Sequence, residues 1–215
     1  YEAQFIDDAS CVFPLEDVEA AARNAECGME NAEYVVAGID WARYSDFTAV
    51  VALAVDESGC RVVGIDRFNR MGWDRQIERV ADFLRTHRVS AALADSTSIG
   101  DPLLDQFRSR LWESGVDTTV EGYGFTNTSK QELIDNLALQ FAHRSLAIPR
   151  DEQLMRELQY FEYELTQSGN IRMTGRPGIN DDLVIALALA CWQSRKPPFS
   201  GTCLSRNGRL ATRYI

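Results

Sequence analysis

The chain has 215 residues, of which 45% are hydrophobic and 25% charged, and its 32 acidic against 22 basic side chains give a net charge of −10. This is ordinary globular composition, long enough for one domain with a sizeable core, and its acidity argues against a stand-alone nucleic-acid binder, because phosphate affinity comes mainly from Lys and Arg. The longest apolar run, Leu183 to Trp192, is shorter than the roughly 20 residues that span a bilayer, which implies no membrane partner.

No charged-then-apolar signal pattern is evident. The five cysteines form no CxxC pair and stand beside only two histidines, which argues against structural zinc and for reduced thiols. The charge is unevenly spread: residues 195–215 contain Arg195, Lys196, Arg206, Arg209 and Arg213 with no acid. An acidic body with a basic tail suits a domain that holds cations and relies on partners, although acidity also serves simple solubility.

In chain order, residues 1–13 read as the extended end of a linker. Pro14 opens a helix to about Asn24, with Glu16, Asp17 and Glu19 in its early turns and Cys27-Gly28 closing it. Tyr34–Trp41, Phe47–Val55 and Arg61–Phe68 read as three consecutive antiparallel strands, with Asp56-Glu57-Ser58-Gly59 as hairpin chemistry between the last two. Asp74–His87 has apolar residues at helical spacing (Ile77, Val80, Ala81, Leu84). Val89–Ala94 is a short strand ending at Asp95, Pro102–Trp112 a helix, and Val120–Phe125 another strand. Thr128–His143 is a helix whose cap is read at Thr128 with Gln131 at the capping-box position. A helix follows near Asp151, then a hairpin over Tyr160–Thr174 around Ser168-Gly169-Asn170, then a last helix from Asp181 to about Ser194. The predicted fold is α/β: one mixed sheet, antiparallel then parallel, with helices on both faces and a late hairpin.

Three acidic positions are placed for chemistry. Asp40 interrupts the first apolar strand, Asp95 ends the fourth, and Asp181-Asp182 open the most apolar helix. If the first and fourth strands are neighbours, Asp40 and Asp95 lie side by side, and a helix across the sheet brings Asp182 to them. Clustered carboxylates repel and lose hydration, so they need a counter-charge. An all-oxygen donor set suits Mg²⁺ or Mn²⁺, and two such ions about 3.5–4 Å apart can polarise a phosphodiester and activate water. Each residue also has a bland reading: Asp40 as a strand-end residue bonded to a turn, Asp95 as a loop cap, Asp181 as a helix N-cap. Asp46 is either a supporting ligand or a turn residue.

With these residues in place, the chain resembles the nuclease domain of the tailed-bacteriophage terminase large subunit, an RNase H-like fold related to Holliday-junction resolvases. GIDWARYSDFTAV resembles the family's first motif and ALADSTSIGDPLLDQF its second acidic strand end. GFTNTSKQELIDNLALQFAHRSLAIP and SGNIRMTGRPGINDDLVIALALA resemble its later segments, and FIDDASCVFPLEDVEAA its connector from the ATPase domain. One departure is Asn180, where the family often has His; Asn hydrogen-bonds but does not titrate near neutrality.

The resemblance implies a connector over 1–13, a nuclease domain over 14–196 and a basic tail over 197–215. It implies cleavage of double-stranded viral DNA at the start and end of genome packaging, in the host cytoplasm. Asp40, Asp95 and Asp182 are then catalytic, with Asp181 a further ligand of two Mg²⁺ or Mn²⁺ ions, and Asp46 and Asn180 in support. Lys130, Arg172 and Arg176 are candidate DNA contacts. Implied partners are the ATPase domain, the portal protein and the small terminase subunit. No GxxxxGK[ST] phosphate loop occurs, so no ATPase activity is expected of this chain. The alternatives are a resolvase- or transposase-like nuclease on the same fold and a non-catalytic actin-like or scaffolding domain.

Overall fold

The computed structural model describes residues 11–23, 32–42, 46–97, 100–165, 171–176 and 178–197. Most of the connector, the helix stop at Cys27-Gly28, the hairpin tip at Ser168-Gly169-Asn170 and the basic tail from residue 198 lie outside them.

Three strands arise where apolar runs are broken by turn residues: β1 (Tyr34–Asp40), β2 (Thr48–Asp56) and β3 (Gly59–Phe68). Glu57 and Ser58 turn β2 into β3; Asp56 accepts from the Ser58 amide at 2.8 Å, and Gly59 supplies the positive φ (137°) that follows. β1 is antiparallel to β2, and β2 to β3. β4 (Ala91–Asp95) then adds parallel to β1, and β5 (Thr119–Tyr123) parallel to β4. A short strand with no signal in the sequence, β6 (Leu146–Ala147), pairs parallel with β3 and completes the order β5-β4-β1-β2-β3-β6. Two residues are too few for a periodic pattern; this strand exists because the chain leaving the preceding helix passes an open sheet edge, where Cys60 N–H donates to Ser145 O at 2.7 Å. β7 (Phe161–Leu165) and β8 (Ile171–Gly175) form the separate hairpin.

Helices cover both faces. α1 (Leu15–Arg23), α4 (Asn127–Ala142), α5 (Glu152–Gln159) and α6 (Asp182–Gln193) pack on one, and α2 (Trp73–Thr86) with α3 (Gly100–Glu113) on the other. The sheet alternation divides accordingly: Val36, Val51 and Leu93 face the α6 side, while Ala37, Ile39 and Ala92 face α2 and α3. Cys11–Phe13 belong to the packed body: Val12 N–H bonds Phe161 O at 3.1 Å and Phe13 lies against Phe141 and Phe161. The cap of α4 is two residues earlier than the sequence reading placed it. Thr126 and Ser129 exchange the reciprocal capping bonds, because Ser129 also reaches Gly124 O and fixes the turn out of β5. Among the described residues no helix is long and apolar enough to cross a membrane.

α6 is buried on all sides, which is why its sequence is apolar all round. It runs antiparallel to β1: the Tyr34 hydroxyl at the strand's start donates to Ser194 O at the helix's end (3.1 Å). The closest approach is at Gly38, where a Cβ would stand 1.9 Å from Ala186 O and 2.4 Å from Ala190 N. Both obstacles are helix backbone and cannot yield. Gly38→Ala is therefore expected to destabilise by about 3 kcal/mol or more, read as a large fall in denaturation midpoint or loss of soluble protein; a near-native midpoint would contradict this packing.

Candidate metal centre

The Gly38 contact sets the geometry of the site. Asp40 lies two residues beyond Gly38 on the same face of β1, and Asp182 lies one helical turn before Ala186. Two strand residues advance about 6.6 Å and four helical residues about 6 Å, so packing Gly38 against Ala186 brings Asp40 and Asp182 level. The parallel register Val36↔Ala91 through Ile39↔Ala94 brings Asp95 beside Asp40 in the neighbouring strand. Three acids distant in sequence thus converge at one end of the sheet, under the first turn of α6.

The electrostatics agree. The Asp40 carboxyl is pushed well above the usual range, first by burial, then by Asp95, Asp182 and Asp181, with Lys130 pulling the other way. Asp182 is buried and pushed up to about 6, chiefly by desolvation; Arg67 and a hydrogen bond from Asn180 oppose the rise. Asp95 is buried and accepts from Thr97 N–H at 2.7 Å, so the loop-cap role read from sequence is realised through Oδ1. Asp181 is half-buried and pairs with Lys130 at 3.6 Å. An open cavity of about 590 Å³ lies over this end, lined by Asp40, Trp41, Asp46, Asn180, Asp181 and Asp182, among others. Asp46 is exposed on its wall.

Buried polar groups fix the chain after Asp40. Thr48 Oγ1 donates to Gln76 Oε1 (2.6 Å), and Gln76 Nε2 donates to Ala42 O and Met71 O (3.1 and 2.8 Å). Trp41 is wedged between Trp73 and Phe107.

Two residues that the sequence reading passed over complete the centre. Arg67, at the end of β3, stacks on Phe47, donates to Asp182 Oδ2 at 3.1 Å, and brings Nε to 3.5 Å from Glu157 Oε1. Glu157, on α5, is fully buried and pushed up to about 7 by desolvation, with hydrogen bonds from Gln153 and Leu183 working against the rise. Neither carried a signal: Arg67 follows Asp66 directly near the end of a strand, like a solvated pair, and Glu157 sits in a short helix whose acids look solvated.

The DNA-contact candidates are divided. Lys130 faces the acids. Arg176 donates from Nε to Glu162 at 2.6 Å. Arg172 lies on β8 opposite Glu164 in the ladder.

The residues present fit divalent cations by donor type, since the clustered groups are all hard oxygen donors around a carboxylate that the others make hard to ionise. Among the described residues, no three Asp, Glu, His or Cys side chains are drawn together closely enough to hold an ion as they stand. Asp182 is instead paired with Arg67 and Asp181 with Lys130.

No family model matches the chain. The large terminase subunits of Thermus virus P23-45 and Thermus phage G20c are each 28% identical over 153 residues, 71% of this chain and 30% of theirs. The crystal structure of the large terminase nuclease from phage G20c with bound magnesium superimposes with a TM-score of 0.66 at 27% identity, covering 74% of this chain and 81% of that one. Over about three quarters of its length the chain is similar to phage large-terminase nuclease domains. It spans about 30% of the length of the curated terminases it matches. The cobalt-bound form of the same G20c nuclease matches at 28% identity with a TM-score of 0.65. Fold and strand order are RNase H-like, as the sequence predicts.

Proposed function

We propose that this chain is a divalent-metal-dependent endonuclease that cuts double-stranded DNA at the initiation and termination of phage genome packaging. The observation that carries the reading is the convergence of Asp40, Asp95 and Asp182 from two parallel strands and a helix N-terminus. Metal-bound forms of the G20c nuclease support it.

In this reading Asp40, Asp95 and Asp182 would hold two ions, Mg²⁺ or Mn²⁺, with Asp181 assisting and Asp46 in reserve on the cavity wall. Bound there, they supply the positive charge that polarises a phosphodiester and activates water. The chain's own residues do the rest. Asn180 orients Asp182 by a hydrogen bond, a role that requires no titration. The Trp41 wedge and the Thr48–Gln76 bonds hold the strand end beneath Asp40. Lys130 balances Asp181 until a phosphate competes for it. Arg172 and Arg176 extend the DNA contact along the hairpin. The ATPase domain, portal protein and small subunit are the partners in packaging, consistent with the chain matching only part of the longer terminases.

A plasmid-cleavage assay with Mn²⁺ and Mg²⁺ tests the reading. Nicked and linear products are expected, abolished by excess EDTA and by Asp182→Ala. Cleavage that survives EDTA would remove the metal requirement, and preference for branched over linear duplex would favour a resolvase. In parallel DNA-binding titrations, replacing Lys130, Arg172 and Arg176 by Ala should weaken affinity and flatten its log-salt slope by up to about 3; an unchanged slope would exclude these three as phosphate contacts.

A further inference from the structure

α6 begins with an unusual division of labour. Asp181 stands at its N-cap position, yet makes no side-chain capping bond. The amides an N-cap side chain normally serves are those of the second and third helical residues, here Leu183 and Val184. Both are taken by a residue from another helix: Glu157 Oε2 accepts from Leu183 N–H at 2.7 Å and from Val184 N–H at 3.4 Å. The other oxygen, Oε1, accepts from Gln153 Nε2 at 3.0 Å and faces Arg67 Nε. Arg67 in turn reaches Asp182. One fully buried carboxylate therefore grips the backbone just after Asp182 and faces, at 3.5 Å, the guanidinium that bonds the Asp182 side chain.

We propose that Glu157 is the positioning residue of the metal centre, capping α6 in place of Asp181 and so leaving the Asp181 and Asp182 carboxylates to the site. Had Asp181 capped its own helix, its carboxylate would fold back onto the amides and away from the cavity. Burial excludes Glu157 from contact with DNA, so its effect is transmitted through the helix turn and Arg67. This inference rests on the proposed metal site for its functional consequence, but the capping itself does not.

The test uses the full chain with Glu157→Met, which keeps volume and removes the acceptor, and Glu157→Gln, which keeps an acceptor oxygen. Two quantities are read: hydrogen exchange of the Leu183 and Val184 amides, and Mn²⁺ affinity by calorimetry. In the Met variant, exchange at both amides should accelerate at least about tenfold and the Mn²⁺ dissociation constant should rise about tenfold. The Gln variant should keep both within about threefold. Protected amides in the Met variant, or a Gln variant as impaired as Met, overturn the proposal. Asp181→Ala is the arm that survives a Met variant unable to fold: exchange at Leu183 and Val184 should not change, and acceleration would return the capping role to Asp181. A parent protein that takes up no Mn²⁺ would defeat the metal reading instead, while the exchange data still judge the cap.

Discussion

Asp40→Asn should abolish cleavage, by at least about a thousandfold, and at the same time raise the thermal midpoint of the metal-free protein. Both effects come from one cause. In the proposed site Asp40 would be the central metal ligand, and an amide oxygen is a far weaker donor to a hard cation than a carboxylate. Without cations, the same carboxylate is a liability: it is packed into the sheet end with Asp95, Asp182 and Asp181 opposing its charge. Asn fits the same space and removes the repulsion. Ordinary loss-of-function substitutions destabilise, so gain of stability with loss of activity is a signature that a merely structural Asp40 would not give. Cleavage within tenfold of the parent, or a lowered midpoint, would contradict this account.

The second large effect is on stability against pH. Burial raises Asp182 to about 6 and Glu157 to about 7, and Asp40 moves in the same direction. A carboxyl with a raised folded pKa binds more protons in the folded than in the unfolded chain between the two values. Stability therefore falls as pH rises through that window. Well below the unfolded carboxylate values these groups are protonated in both states and no penalty applies; the penalty grows as pH rises through the folded values of about 6 for Asp182 and about 7 for Glu157. In EDTA, the melting midpoint should fall by about 5–10 °C between pH 4.5 and pH 7.5, corresponding to a few kcal/mol. Asp56 is lowered by Ser58 and Arg61 and acts in the opposite sense, but below this window. Saturating Mn²⁺ at pH 7.5 should recover most of the loss, because a cation that binds only the folded site stabilises it by mass action. A flat profile in EDTA, or no response to Mn²⁺, would mean that the acids are not gathered as described.

Much of this arrangement is legible in the sequence, for identifiable reasons. β1 and β2 are long, nearly unbroken apolar runs, and α2 has a clear helical period, so their elements follow from local patterning. Asp40 and Asp95 stand out because each terminates an apolar strand, where a charge is costly unless it is used or paired. β6 is illegible because two residues carry no period. The sequence places the α4 cap at Thr128, with Gln131 at the capping-box position; Thr126 is an equivalent hydroxyl, and the bond from Ser129 to Gly124 selects it.

What the sequence by itself determined is every element but β6, their order, and the acids at the strand ends and at the start of α6, since these depend on interactions between near neighbours. Only the tertiary structure decided how those acids are held. Arg67 meets Asp182 across 115 residues and Glu157 meets Leu183 across 26. No local pattern distinguishes these two charges from solvated ones. They become special because Gly38 lets α6 sink onto β1, burying its first turn where its amides and carboxylates must find partners from other elements.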